Sequence, residues 1–222
     1  MRRALPLSIL FAACAVTDAP PLVVPGGMPD GATYKLEGID GSRRGEVTVA
    51  GWTGGYERQF STFDTNRWDQ QRFDGSFRLS RAGGEAVGVC AMREGLLQLP
   101  APFLQTVQVP AIAYAYDCEI EAEGRAGRLQ IGEVVTSTFD PAGDRRGFAW
   151  LEDGPLIEVR SLHQLEGVSL RSQQPWGYVM SAEGRTLGVV DLRDARPVLT
   201  LAEDASEAAE ITGLALAFLQ TE

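Results

Sequence analysis

Histidine occurs once in the 222 residues, at position 163, and lysine once, at position 35. The first scarcity removes most acid–base and metal chemistry, because a zinc site needs three or four nitrogen or sulfur ligands and a serine nucleophile needs a base. The second removes a lysine base from anywhere but the start of the domain. Gly-x-Ser-x-Gly, the strand-to-helix turn that exposes a nucleophilic serine, is also missing. There is no run of about 20 apolar residues to form a transmembrane helix. Basic residues are short overall, 20 against 30 acids for a net charge of −10. A field of that sign repels phosphate backbones and excludes nucleic acid as a partner. What is present is an ordinary globular balance, 44% hydrophobic and 23% charged, in a chain long enough for one domain with a sizeable core.

The N-terminus is read separately. Met1-Arg2-Arg3 precedes an apolar run from Ala4 to Ala13, which has the charge and length of a secretory signal. Its end, Phe11-Ala12-Ala13-Cys14, resembles the bacterial lipobox, although Phe11 stands where leucine is usual. The resemblance implies that residues 1–13 are a signal peptide and that Cys14 receives a diacylglyceryl group. Ala15, where enteric lipoproteins destined for the inner membrane carry aspartate, implies the outer membrane. Such a protein is held to the membrane by lipid, faces the periplasm and needs no spanning helix. An ordinary cleavage site at Ala13-Cys14-Ala15 is the alternative. Either way Cys90 and Cys118 remain as an even pair in an oxidising compartment, and a Cys90–Cys118 disulfide is expected.

Residues 14–32 contain Pro20, Pro21, Pro25, Pro29, Gly26, Gly27 and Gly31 and read as a tether. Residues 33–222 then form a single domain. Its dominant pattern is period-2 alternation, clearest where Ile112, Tyr114, Tyr116, Cys118, Ile120 and Ala122 share one face and Asp117, Glu119, Glu121 and Glu123 the other. About a dozen short strand-like segments, Val168–Arg171 among them, are separated by turn pairs such as Glu123-Gly124 and Glu183-Gly184. No amphipathic helix lies between them for parallel crossovers, so the body reads as mainly β, an antiparallel meander. At the end Ser206 suits an N-cap, with Glu207 and Glu210 in the first turn. Ile211–Leu219 is apolar on every side, and such a helix has to be enclosed. The expectation is a barrel or curved sheet around a buried C-terminal helix.

Glu183-Gly184-Arg185-Thr186-Leu187-Gly188-Val189-Val190, then Pro197-Val198-Leu199-Thr200-Leu201 and the apolar helix, resembles the end of a tubby-like domain, the superfamily that includes the phospholipid scramblases. The resemblance covers Trp176–Leu219 and implies a twelve-strand barrel around a hydrophobic helix. It is a likeness of architecture only.

Candidate ligand contacts are few. Seven of the 18 aromatic residues fall between Trp52 and Phe77. Most follow strand spacing and belong in a core, whereas Trp68, beside Arg67 and Asp69, is the candidate for exposure and for stacking on an envelope glycan. Asp117, Glu119, Glu121 and Glu123 form an acidic ladder whose same-face positions stand about 7 Å apart. It is either neutralised by Arg125 and Arg128 or a landing place for a cation or basic partner. His163 reads as a hydrogen-bonded structural residue. Asp64–Asp69 starts like a calcium loop but places Trp68 at its fifth position. No metal or other cofactor is called for. The chain therefore reads as a non-enzymatic envelope lipoprotein that binds or scaffolds an envelope protein or glycan. The alternative is an envelope hydrolase acting on glycan or peptide through carboxylates.

Overall fold

The computed structural model describes residues 20–39, 42–65, 68–99, 107–134, 143–194 and 196–219. Along them run β1 (Gly31–Lys35), β2 (Arg44–Val49), β3 (Trp52–Thr65), β4 (Trp68–Arg81), β5 (Gly84–Leu99) and β6 (Val107–Ala122). Then come β7 (Arg125–Val134), β8 (Asp144–Leu151), β9 (Ile157–Leu162), β10 (Gly177–Ala182), β11 (Arg185–Asp191), β12 (Val198–Ala202) and the helix α1 (Glu207–Ala217). The strands form one sheet in which β2 to β12 each pair with the next, all antiparallel, and β1 returns to pair with β12. A single bridge, Glu37 to Thr48, links the β1 side to β2. The result is a nearly closed twelve-strand barrel.

The meander is built by tight turns. At Ala50-Gly51 both residues take positive φ, 50° and 81°, the geometry of the two-residue hairpin whose twist matches its strands. Trp52 therefore begins β3 instead of ending β2, as the run Glu46–Trp52 had suggested. The hairpins from β3 to β6 are longer than the sequence implied, with strands of 14 to 16 residues. Val168–Arg171 is not a strand; it lies in the turn-rich link between β9 and β10.

Alternation on β6 holds. Tyr114, Tyr116, Cys118, Ile120 and Ala122 are buried, and Glu119 and Glu121 are exposed. Cys90 and Cys118 sit directly opposite each other on β5 and β6, with Cα atoms 4.0 Å apart, and form a disulfide inside the barrel.

The helix occupies that interior. Ser206 caps it, its hydroxyl accepting from the Ala209 amide. Ala208, Ala209 and every residue from Ile211 to Leu219 are buried. Phe218 packs 5.3 Å from Tyr56 and 5.4 Å from Phe77, ring centre to ring centre. Tyr116 donates its hydroxyl to the Ala215 carbonyl at 2.7 Å. Gly213 lets the helix approach β12, since a Cβ there would lie 2.6 Å from a Leu199 methyl. At the helix start Glu210 accepts from Trp52 and Arg81, and Glu207 from Arg81 and Arg125. Arg81 also stacks on Trp52, 4.2 Å from the ring centre. These carboxylates suit the positive end of the helix dipole and close one end of the barrel.

The expected tether is corrected over the part described. From Pro20 it is docked, not free. Leu22 is buried with Leu162, Val179 and Val189 on the outer side of β9, β10 and β11. Pro21 accepts from the Glu166 amide and Val23 donates to Gln164. Cys14 lies outside the described residues.

Candidate functional site

The end of the barrel beyond Leu219, opposite the closed end, holds a cavity of about 560 Å³. That volume is within the range of small-molecule sites. Its wall comes from the last inward positions of the long strands. On β3 the phase that buries Trp52 and Tyr56 continues to Arg58 and Phe60; on β5 the phase of Cys90 and Met92 continues to Glu94; on β8 the phase of Leu151 and Ala149 continues to Arg145. Charged side chains therefore stand where strand geometry points inward. Among the described residues, Arg43, Arg58, Arg72 and Arg145 line the cavity with one carboxylate, Glu94. Arg72 is paired with Asp74, and the carboxylates of Glu133 and Asp69 act on Glu94 from nearby.

Arg58 is 3% exposed. Its Nε donates to the Ser42 carbonyl at 3.1 Å, and its guanidinium lies 5.8 Å from the Tyr56 ring centre and 5.6 Å from that of Phe60. Arg145 donates through Nη2 to both oxygens of Glu94, at 3.3 and 3.2 Å, and to Gln174. Its guanidinium carbon lies 3.6 Å over the Tyr114 ring. Burial raises the Glu94 pKa, and the carboxylates of Glu133 and Asp69 add to the rise, while Arg145 works against it. The Tyr114 hydroxyl is buried close to that of Tyr178, without the geometry of a well-formed hydrogen bond. Burial first, then neighbouring Tyr178, lifts its pKa well above the ordinary value, so it remains a proton donor. The Tyr114 ring, with Arg145 stacked on it, forms part of the cavity wall, while its hydroxyl lies inside the wall beside Tyr178.

No protein family matches this chain, and no curated protein or solved structure does. The site is therefore read from its own groups.

The residues singled out by sequence lie elsewhere. Trp68 is half-buried at the tip of the β3–β4 hairpin, its amide donating to Thr65 Oγ1. Among the described residues, the exposed rings are instead Phe63, Phe148 and Trp150. Asn66 and Arg67, in the middle of the calcium-like stretch, lie outside the described residues. Asp117 faces outward and accepts from Arg128 Nε and Nη2 at 3.0 and 2.7 Å and from Gln130 at 2.7 Å. Burial acts to raise its pKa, but the bonds from Arg128 and Gln130 prevail and hold it below the usual value. Glu119 lies opposite Arg128 across the β6–β7 pair. Arg125 turns away to Glu123 and Glu207. The ladder is thus neutralised at its Asp117 end by Arg128, while Glu119 and Glu121 form no ion pair among the described residues. No group of three metal-binding side chains occurs among them either.

His163 is buried, Nδ1 3.0 Å from the Ser172 carbonyl and Nε2 2.8 Å from Ser161 Oγ. A carbonyl only accepts, so Nδ1 carries the proton. Nε2 then accepts from the Ser161 hydroxyl, which itself accepts from the Arg145 amide at 2.8 Å. The histidine thereby braces the strand end that carries Arg145. Burial, the largest influence, lowers its pKa. The unfolded chain consequently binds a proton that the folded one resists, and stability contributed here falls as pH drops below the unfolded value of about 6.5. His163→Gln is expected to flatten the pH dependence of the melting temperature between about pH 7 and 5. A variant whose profile parallels the wild type would show that His163 does not titrate in that window.

Proposed function

We propose that this protein is a lipid-anchored component of the bacterial cell envelope, facing the periplasm from the outer membrane, whose barrel binds a ligand and performs no chemistry on it. The observation that carries the binding reading is the cavity at the open end of the barrel. It is lined by buried Arg58, nearly buried Arg145 and several apolar side chains, carried on the strands and on the links beside them. The twelve strands and buried C-terminal helix support the tubby-like reading of Trp176–Leu219 as a reading of architecture. The lipobox ending at Cys14 and the disulfide inside the barrel support export, since disulfides persist in oxidising compartments.

The hydrolase alternative has one group in its favour. Glu94 is a carboxylate of raised pKa in a cavity, the property of a general acid. A hydrolase working through carboxylates needs a second acid flanking the substrate, and Glu94 is the one acid among the described residues lining the cavity. Its hydrogen bonds to Arg145 fit the role of counter-ion better. Incubation with peptidoglycan fragments or peptides is expected to yield no cleavage, and turnover lost in Glu94→Gln would instead establish the enzyme.

Localisation has its own test. Cys14→Ser is expected to lose lipid labelling and to move from the membrane pellet to the soluble periplasmic fraction. A variant that still sediments with membranes would overturn the anchor.

A further inference from the structure

The docked segment and the cavity meet at one rim. Arg193 donates through Nη1 to the Pro20 carbonyl at 2.6 Å, and its neighbour Leu192 lines the cavity. Gln174 and Pro175 line it too and lead directly into Trp176, which packs with the Leu22 cluster. The chain therefore reaches the barrel beside the mouth. Six residue steps separate Cys14 from Pro20, a reach of about 20 Å when fully extended. If Cys14 carries lipid, as proposed above, the mouth is held within that distance of the bilayer.

The lining divides by chemistry. Arg58 and Arg145 supply donors, whereas Phe60, Met92, Leu192 and Leu219 are apolar. We propose that the cavity takes a singly charged anionic amphiphile, a long-chain carboxylic acid drawn from the anchoring membrane. Its head lies against Arg145 and Arg58, and its chain runs along Phe60, Leu192 and Leu219 to the rim. A guanidinium fork matches a planar carboxylate, and Arg145 bonds Glu94 and Gln174 through Nη2, with Tyr178 beside it. Glu94 already offsets part of the positive charge, so a second negative charge on the ligand would meet its carboxylate. This disfavours a doubly charged phosphate head. The proposal rests on the binding reading and adds the ligand's class and the direction from which it enters.

The test uses the full chain carrying Cys14→Ser, so that its own lipid does not compete. Laurate, dodecyl phosphate, dodecyl glucoside, acetate and inorganic phosphate are titrated calorimetrically below micelle concentrations. Laurate is expected to bind one per chain, with dodecyl glucoside and acetate each weaker by about a hundredfold. Arg58→Gln is expected to lower the affinity for laurate about tenfold. Arg145→Gln weakens laurate further and tests the charge.

Equal binding of all dodecyl compounds would overturn the proposal by showing an apolar slot only. Tighter binding of dodecyl phosphate than laurate would overturn the choice of carboxylate, and undiminished binding by Arg58→Gln and Arg145→Gln would overturn the placement of the head. Acetate or inorganic phosphate bound as well as laurate, and lost in Arg145→Gln, would refute the amphiphile but leave the binding function intact. No binding by any probe, together with cleavage of envelope fragments, would overturn the binding function itself.

Discussion

Phe218→Ala is expected to lower the unfolding free energy by about 3–5 kcal/mol, through lost transfer energy and the cavity left behind. Phe218 is 3% exposed and lies between the rings of Tyr56 and Phe77, from two different strands. The barrel wall cannot collapse inward to fill the gap, because its strands are fixed by hydrogen bonding around the ring. Against a typical total of about 5–15 kcal/mol, such a loss brings the domain near its limit. Truncations at Ile211, Leu214 and Leu216, each 1% exposed or less, should all cost about 2–5 kcal/mol, since no side of the helix faces water. Leu170→Ala, at a residue 79% exposed, is the control and should stay within about 0.5 kcal/mol. Urea midpoints for the series decide the matter. Tolerance at every third or fourth position would mean that one side of the helix is open to solvent.

Loss of the disulfide ranks second. Cys90 and Cys118 are 28 residues apart in sequence, and on the chain-entropy account closing such a loop contributes about 3–4 kcal/mol. The double variant Cys90→Ala/Cys118→Ala should therefore unfold at a markedly lower temperature and urea concentration. The wild type in reductant should approach it once unfolding exposes the buried sulfurs. Peptide mapping without reduction should recover the two cysteine peptides joined. Identical melting of wild type and double variant would show that the bridge does not stabilise the folded protein.

Both effects rest on features that the amino-acid order makes visible. Alternation along Ile112–Ala122 assigned the inner face of β6 and turned Cys118 inward, and the all-round apolarity of Ile211–Leu219 demanded an enclosure. Other segments hid their role for physical reasons. Gly177–Met180 on β10 and Leu187–Val190 on β11 are buried on both faces, inside by the core and outside by the docked segment. Alternation therefore vanishes there. Leu22, in a stretch full of proline and glycine, gave no sign of docking, because the surface that receives it comes from residues about 140 to 170 positions later.

The cavity was missed for a related reason. Arg58 and Glu94 stand two residues from buried Tyr56 and Met92, and Arg145 four residues from buried Ala149, each on its neighbour's strand phase. An arginine or glutamate on the apolar phase of a strand, recurring at the same end of several strands, was the signal available. Trp68 and the acidic ladder drew attention by local composition alone, and the barrel leaves them on its tip and its outer wall.

The pairing of β1 with β12 has a consequence for timing. Thr33 and Thr200 share a hydrogen bond across 167 positions of chain, so the seam of the barrel closes only after nearly every residue has been released. Until then β1 waits with an unpaired edge, which is a hazard in longer, apolar strands. Here the waiting strand is five residues long, and its side chains are mostly exposed even when paired, so it offers little for a stray edge to stick to. Contacts this distant belong to slow folders. A chain threaded amino end first through a narrow export channel would thus stay pliable during passage, and would commit to its final shape only on the far side.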